Sequence, residues 1–183
     1  MLTLHSKSKL PWQKNLVRKL KTTMTNNSFW GPYLEMAEQA SVGIHLAVFV
    51  EPYLTYLLGG QKTVESRFSV HRIAPFNSVS EGDIVILKKA SGPIVGLCQV
   101  TNVWDFKLEP KTWREIRNDF TEALCAQDPM FWDQRKHASY ATLMRVKNVA
   151  KVPPIAVSKR DRRGWVVLKR INHQRTMFED DQE

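Results

Sequence analysis

Three charged side chains of mixed sign are closely spaced between Gly60 and Arg67, in the segment GQKTVESR. The alternation of apolar and polar residues over 62–70 predicts a β-strand, on which residues two apart face the same way. Glu65 and Arg67 are therefore expected to share a face that points out of the core, and the long side chain of Lys62 can reach over it. Such a group could hold a polar planar ligand or a phosphate. The alternative is an exposed salt bridge at a strand edge, which would contribute little to stability.

A second candidate site is a basic turn near the C-terminus. Four cationic residues occur within five positions, and these candidates for nucleic-acid contact are Lys159, Arg160, Arg162 and Arg163. Their mutual repulsion would be relieved by an anion such as a phosphate group. Trp165 follows the turn, and we expect its indole to be buried in the core, with stacking on a base as the alternative.

The charge distribution favours a polyanionic partner. The 183 residues include 27 Lys and Arg against 18 Asp and Glu, which gives a net charge of +9 and a pI near 9.7. Residues 1–25 carry +6 and residues 151–175 carry +7, whereas 26–150 are neutral and the tail 176–183 carries −4. This pattern excludes an acidic solvating protein, and it makes nucleic acid the first expected partner and anionic lipid the second.

The N-terminal part of the basic surplus lies on a predicted helix that begins near Pro11. Trp12, Leu16, Leu20 and Met24 recur every four residues and form one apolar stripe. The basic residues on the other side, which are candidates for phosphate contact, are Lys14, Arg18 and Lys21. A helix docked on the body with its basic side in solvent, and a basic arm that contacts phosphates, both account for this pattern.

Cysteines, histidines and apolar runs limit the remaining classes of site. Cys98 and Cys125 lie in apolar contexts without CxxC spacing, which predicts reduced thiols in a reducing compartment. The histidines are scattered without metal-ligand spacing, so neither a metal nor another cofactor is expected. No apolar run approaches the ~20 residues of a transmembrane helix, and the N-terminus is a poor secretory signal. We therefore expect a cytoplasmic monomer that does not associate with membranes.

Short strands alternate with inserted helices through the rest of the chain. Apolar runs and turn residues predict strands at 44–50, 62–70, 84–87, 94–103, 140–149 and 165–170. Helices are predicted near 32–41, at 112–124 and after Asp128-Pro129, with one or two helical turns between Glu51-Pro52 and Gly59-Gly60. Pro153-Pro154 is expected to end the fifth strand. This order predicts an α+β domain built on a small, partly closed β-barrel. We expect that domain to span 43–170, between a basic helical extension at 1–42 and an acidic tail at 171–183.

The residues Gly60, Lys62, Glu65 and Arg67 occupy all four fixed positions of the pattern GxKxxExR. In this pattern the chain resembles the ASCH (activating-signal-cointegrator homology) domain family, and the resemblance extends over about residues 43–170. It implies a PUA-like β-barrel and a cleft, formed by the motif and the barrel mouth, that takes nucleotides or RNA. The implied activity is binding of RNA, or of single-stranded nucleic acid, with RNA expected in preference to DNA.

The resemblance and the surrounding sequence together assign a set of site residues. The expected ligand-binding residues are Gly60, Lys62, Glu65, Arg67, Tyr53, His71, Trp132, Arg135 and Tyr140. Lys62 and Arg67 would hold phosphate or base acceptors. Glu65 would accept a hydrogen bond from an exocyclic amine or orient Arg67. Trp132 and Arg135 belong to a short predicted helix that could line the cleft.

The resemblance leaves open whether the protein is an enzyme. Some small bacterial ASCH proteins with a similar motif hydrolyse the amide of an acetylated cytidine, with a threonine three positions after the motif lysine as nucleophile. Glu65 occupies that position here, Ser66 is expected to face the core, and Thr63 is only one residue from the lysine. This departure argues against the same mechanism.

Two further alternatives remain from the sequence. Other members of the family are ribonucleases, and in that case Lys62, with Tyr53, His71 or Tyr140, would be the catalytic cation. The third alternative is a protein-interaction module in a transcription or translation assembly, whose basic ends serve only solubility or targeting.

Overall fold

The computed structural model describes residues 11–39, 41–157 and 163–170. In chain order the helices and strands of this part are α1 (Pro11–Met24), α2 (Trp30–Gln39), β1 (Ile44–Phe49), α3 (Tyr53–Leu58), β2 (Val64–Ser69), β3 (Ile84–Lys89), β4 (Ile94–Lys107), α4 (Pro110–Phe120), α5 (Pro129–Asp133), β5 (Tyr140–Ile155) and β6 (Trp165–Lys169). The order of elements agrees with the order predicted from the sequence, and β4 and β5 are longer than predicted.

The six strands form one curled sheet in the order β2-β5-β4-β3-β1-β6. Only β1 and β3 run parallel, and all other neighbouring strands of this sheet are antiparallel. The register of β4 against β5 shifts at three places. Such irregularities bend and twist a sheet, and here they accompany a half-barrel whose edge strands are β2 and β6. The predicted α+β fold on a small, partly closed barrel is thus confirmed.

The prediction that Pro153-Pro154 ends the fifth strand is wrong, because β5 continues through both prolines to Ile155. The prolines lie where the pairing is irregular, and residues 152–154 of β5 face a single residue of β4. Proline has no backbone N–H to donate, and a bulge is one of the few places in a sheet where none is needed. The prolines therefore shape this strand without interrupting it.

Helices α1 and α2 cover one face of the sheet. The apolar stripe predicted for the first helix is buried, since Leu16, Leu20 and Met24 are at most 5% exposed. These side chains share one hydrophobic cluster with Leu46 of β1 and Ile84 of β3. The amphipathic helix predicted from the sequence is therefore confirmed, and its apolar face packs on the strands.

Replacing Leu20 by alanine is expected to lower the free energy of unfolding by about 2–5 kcal/mol, the usual cost of such a change in a core. Leu20 is 1% exposed within the cluster that joins α1 to the sheet. Urea denaturation measures the change, with Met36→Ala on α2 as a control that should cost no more than about 0.5 kcal/mol. Met36 is 44% exposed. A cost below about 1 kcal/mol for Leu20→Ala would mean that α1 adds little to the fold.

The other face of the sheet has two hydrophobic clusters. One fills the half-barrel and includes Phe49, Leu87, Met144 and Trp165. The other lies where α4 and α5 pack on β2 and β5, and it includes Ile116 and Phe131. β1 contributes side chains to both faces, which explains its nearly continuous apolar sequence. The strand that carries the charged motif, β2, lies at the border between these two clusters.

Candidate ligand-binding cleft

The charged motif begins at a glycine turn between α3 and β2. Gly60 has a φ of +79°, a conformation that L-residues other than glycine rarely adopt. A Cβ atom at this position would meet nothing within 4 Å, so backbone conformation, and not lack of space, explains the glycine. The turn folds the chain back against the end of α3. The backbone N–H of Lys62 donates to the carbonyl of Tyr56 in that helix at 3.1 Å. Lys62 therefore enters β2 with its side chain directed inward.

Lys62, Glu65 and Arg67 form a row of alternating charges. Lys62 Nζ donates to the carbonyl of Val64 at 2.6 Å and lies 3.2 Å from Glu65 Oε2. Glu65 Oε1 lies 2.9 Å from Arg67 Nε, an ion-pair contact without the alignment of a hydrogen bond. The expectation that Glu65 points out of the core is wrong, because the curl of the sheet encloses this face. Lys62 is only 2% exposed and Glu65 only 6%.

Burial dominates the electrostatics of Lys62. Removing the ammonium group from water lowers the pKa of Lys62 below its ordinary value, and the charge and hydrogen bond of Glu65 oppose this shift. Arg67 adds a smaller effect in the same direction as burial, because it is a like charge. Glu65 is thus the main group that favours the charged form of the buried Lys62 amine.

Arg67 connects the two edges of the half-barrel. Its Nη1 donates to the carbonyl of Val48 in β1 at 3.0 Å and to that of Gly164, just before β6, at 3.3 Å. The guanidinium carbon lies 4.8 Å from the ring centre of Phe49 and 5.4 Å from that of Trp165, within cation–π range. Arg67 is therefore held in one position from several sides.

A buried polar network supports Trp165, whose burial confirms the prediction that the indole lies in the core. Its indole N–H donates to Nδ1 of His45 at 3.2 Å. An indole can only donate, so this Nδ1 must accept, and the proton of the neutral imidazole is on Nε2. Nε2–H then donates to Asp83 Oδ2 at 2.9 Å. Sequence analysis missed His45 and Asp83, since a single histidine in an apolar strand gives no signal of a partner 38 positions away.

A cleft of about 340 Å³ opens over the charged row. Its polar lining consists of Lys62, Glu65, Ser66, Arg67, Gln134 and Arg135. The aromatic lining consists of Phe49, Tyr53, Phe68 and Phe131. Ser66, which was expected to face the core, is half-buried and lines the cleft instead. Burial raises the pKa of Tyr53, so its hydroxyl is a neutral donor or acceptor at ordinary pH. The cleft thus joins charged groups at its base to aromatic walls.

Arg135 forms one side of the cleft mouth. The short helix α5 begins at Asp128, whose carboxylate accepts from the backbone N–H of Met130, as the sequence predicted. Arg135 Nη1 donates to the carbonyl of Phe131 at 2.6 Å, and the guanidinium carbon lies 3.8 Å from the Phe131 ring centre. Burial lowers the pKa of Arg135, but it remains a cation because its ordinary value is so high. This side chain offers a fixed cation near the aromatic wall.

Four of the expected ligand-binding residues lie outside the cleft lining; they are Gly60, in the turn before β2, and His71, Trp132 and Tyr140. Trp132 is 7% exposed, and its indole N–H donates to the carbonyl of Ala126 at 2.9 Å. It packs behind Phe131 in the cluster under α4 and α5. His71 is exposed in the loop after β2. Tyr140 pairs with the last residue of β2 and contacts Phe76. The structure brings together Tyr53, Lys62, Glu65, Arg67 and Arg135 from the expected set.

The basic residues predicted to contact nucleic acid lie in different surroundings. Lys14 and Arg18 are exposed on α1. Lys21 lies 2.9 Å from Glu38 and 3.3 Å from Glu35 of α2, and the Glu38 hydrogen bond raises its pKa. Arg163 is exposed just before β6. The other three residues of the predicted basic turn lie outside the described residues; they are Lys159, Arg160 and Arg162.

No group of three or more His, Cys, Asp or Glu side chains among the described residues is placed to hold a metal ion. None of the helices in residues 11–39, 41–157 and 163–170 is long and apolar enough to cross a membrane.

Comparison with known proteins identifies the family. No curated protein sequence matches the chain significantly. The crystal structure of ASCH from Zymomonas mobilis is 10% identical over 61% of this chain and 72% of its own, with a TM-score of 0.50. The crystal structure of the ASCH domain from Lactobacillus crispatus JV V101 is 10% identical over 81% and 99%, with a TM-score of 0.48. The family model of the ASCH domain matches residues 48–180, more than half of the chain and the whole charged motif. The chain therefore belongs to the ASCH domain family.

Proposed function

We propose that the chain binds single-stranded nucleic acid, RNA in preference to DNA, with one nucleotide in the cleft over Lys62, Glu65 and Arg67. The observation that carries this proposal is a row of three charges, two of them nearly fully buried, at the base of an open cleft. Membership of the ASCH family, with its PUA-like fold, supports nucleic acid as the ligand.

The cost of burying these charges supports a binding role. Desolvation of an ion pair often exceeds the Coulomb attraction that it gains, so stability alone is a weak reason to retain one. Replacing a buried ion pair by well-packed apolar side chains is often neutral for stability, provided that both partners are replaced together. Charges held at such a cost beside a cavity are typical of a functional site.

The arrangement of donors and acceptors favours a nucleobase with an exocyclic amine. A carboxylate offers about four acceptor sites, and Lys62 and Arg67 each contact only one oxygen of Glu65. The remaining acceptor positions suit the amine of cytosine, adenine or guanine, whereas uracil has none to offer. Tyr53 and Phe131 provide aromatic surface for stacking, and Arg135 at the cleft mouth suits a phosphate.

The basic residues outside the cleft would add sequence-independent attraction. In this proposal the phosphate backbone contacts Lys14, Arg18 and the basic turn at 159–163, and the affinity falls steeply with salt. Lys21 contributes less, because Glu35 and Glu38 already neutralise it. The proposal includes a cytoplasmic location, where RNA is abundant and free thiols such as Cys98 stay reduced.

Hydrolysis of the bound nucleotide is a second candidate function, and one observation favours it. Ser66, a residue with a hydroxyl group, lines the same cleft as Lys62, whose lowered pKa is typical of catalytic lysines. Against this, Lys62 Nζ is held by a backbone carbonyl and by Glu65. Incubation with RNA and with an acetylated cytidine, followed by chromatography, would reveal cleavage or deacetylation. Turnover that is lost in Ser66→Ala would establish the hydrolase.

Replacing Lys62 by methionine is expected to weaken binding of a single-stranded RNA at least about tenfold, since it removes a charge-assisted interaction at the base of the cleft. Titration calorimetry at about 50 mM salt measures the affinity for single-stranded RNA and DNA of the same sequence. Lys111→Met is the matched control, because it removes the same charge from an exposed ion pair on α4. We expect its effect to stay within about twofold.

A second variant avoids the buried charges, in case Lys62→Met fails to fold. Arg135→Gln leaves the row of three charges intact and is expected to weaken RNA binding at least about fivefold through the lost phosphate contact. Circular dichroism verifies the fold of each variant. If the unmodified protein binds neither RNA nor DNA at low salt, the proposal is wrong. It is also wrong if both folded cleft variants bind like Lys111→Met.

A further inference from the structure

A second cavity lies next to the cleft, at the opening between the two edge strands of the half-barrel. This seam groove, with a volume of about 640 Å³, is lined by β2, by the loop that follows it, and by the segment 163–170 that contains β6. Arg67 and Phe68 line both the cleft and the seam groove, so the two cavities share a wall. Since Arg67 also connects the strand edges through Val48 and Gly164, it lies at the junction of the two cavities.

The charged residues that the structure describes along the seam groove are all cations. Arg67, Arg163 and Arg170 line it, and no Asp or Glu is among the described residues of its lining. The rest of the lining is mainly apolar and aromatic, with Phe76 and Trp165 among its members and Ile73 left 60% exposed. Arginines beside apolar and aromatic surface are what a single nucleic-acid strand requires, because its phosphates need cations and its bases need surface to stack on.

We propose that the seam groove holds the nucleotide adjacent to the one in the cleft, so that the ligand is an oligonucleotide strand and not a free nucleotide. The proposal rests on the proposed function of the cleft. The strand would pass over Arg67, with one phosphate between the two cavities and the next toward Arg170. Both volumes lie in the usual range of small-molecule sites, about 300–1,000 Å³, so each cavity suits one nucleotide.

The electrostatics favour this occupant over a peptide. Edge strands can pair with an added peptide strand, and β2 and β6 are both edges. A neutral or basic peptide brings no excess negative charge to a basic groove, however, whereas a nucleic-acid strand brings one negative charge per nucleotide. The continuity of the groove with the cleft also fits a polymer whose units repeat along its length.

The proposal is tested by the length of the ligand and by a charge placed in the groove. Titration calorimetry compares a random-sequence RNA hexamer with an equimolar mixture of the four nucleoside 5′-monophosphates. We expect the unmodified protein to bind the hexamer at least about tenfold more tightly. Ile73→Glu is expected to lower hexamer affinity at least about tenfold and to change mononucleotide affinity by less than about twofold. Because Ile73 is exposed, this variant should fold normally.

Two control variants test whether the effect of Ile73→Glu is specific to the seam groove. Met36→Glu places the same charge on α2, and Arg114→Gln removes an arginine from α4; both residues are exposed and line neither cavity. Each should bind the hexamer within about twofold of the unmodified protein. Binding of the adjacent nucleotide in the seam groove would be contradicted if the hexamer and the mononucleotides bound with equal affinity. It would also be contradicted if the Ile73→Glu variant kept its affinity for the hexamer. Either result would leave the proposal for the cleft intact. If the unmodified protein bound neither ligand, both proposals would fail.

Discussion

Replacing Asp83 by asparagine is expected to lower the free energy of unfolding by about 3 kcal/mol or more, through a lost charge-assisted hydrogen bond and an unsatisfied buried donor. Asp83 is 1% exposed and accepts three hydrogen bonds from groups that can only donate to it. Oδ1 accepts from the backbone N–H of Gly43 at 2.6 Å. Oδ2 accepts from the backbone N–H of Ser80 at 2.8 Å and from His45 Nε2 at 2.9 Å. An asparagine amide must turn its NH₂ group toward one side or the other, and it meets a donor in either orientation.

Urea denaturation followed by tryptophan fluorescence measures this change. Asp119→Asn, at an exposed position of α4, makes the same chemical change and should cost no more than about 0.5 kcal/mol. A loss below about 1 kcal/mol for Asp83→Asn would show that the three hydrogen bonds contribute little. Since Asp83 determines which nitrogen of His45 carries the proton, the variant should also loosen Trp165, which lies beside the Arg67 guanidinium.

The Asp83 network shows what the sequence alone could not reveal. His45 and Asp83 come together because β1 and β3 are parallel neighbours, although they lie 38 positions apart. Local patterns describe the faces of single strands and contain no information on which strands become neighbours. Gly43 is a further consequence of this pairing, because a Cβ atom there would lie 2.7 Å from the Asp83 carboxylate.

The charged motif was predicted more successfully, because its residues are local. Lys62, Glu65 and Arg67 are within five positions of each other, and the strand period is enough to bring two of them to one face. Their burial was not predictable in the same way. Alternation along β2 distinguishes its two faces, but only the curl of the whole sheet determines which face is enclosed.

Long strands were predicted less well than helices for a related reason. The helical stripe of Leu16, Leu20 and Met24 is a repeated local signal, and it is confirmed. Pro153 and Pro154 are local signals too, but the register irregularity that accommodates them depends on β4. Tertiary pairing here outweighs a local preference, as it often does in sheets.

Replacing Glu65 by glutamine is expected to lower the free energy of unfolding by about 3–5 kcal/mol at neutral pH, the usual cost of removing one partner of a buried ion pair. Glu65 lies between the cations Lys62 and Arg67 and is the one acid among the described residues that line the cleft. Without it, the two cations repel each other, and Lys62 must either keep an unpaired charge in a site that is 2% exposed or give up its proton. The double variant Lys62→Met/Glu65→Gln also removes the buried amine of Lys62, so it should recover much of the lost free energy of unfolding. A double-mutant cycle measures the interaction energy between Lys62 and Glu65.

The same variant has a pH dependence whose sign follows from Lys62. Burial already lowers the folded-state pKa of Lys62 below the ordinary value of 10.5, and loss of Glu65 removes the main opposing influence, so the pKa falls further. Between the folded-state pKa and the ordinary value, the unfolded chain binds more protons than the folded one, and the free energy of unfolding therefore rises with pH. The loss of unfolding free energy caused by Glu65→Gln should be largest at neutral pH and should shrink as the pH approaches the ordinary lysine value, where the buried amine is neutral.

Urea denaturation at a series of pH values measures how the free energy of unfolding changes with pH. The double variant should lack this dependence because it has no Lys62 to titrate. A cost that stays constant over this range would mean that Glu65 does not hold the charge of Lys62, and the electrostatic basis of the proposed site would be lost.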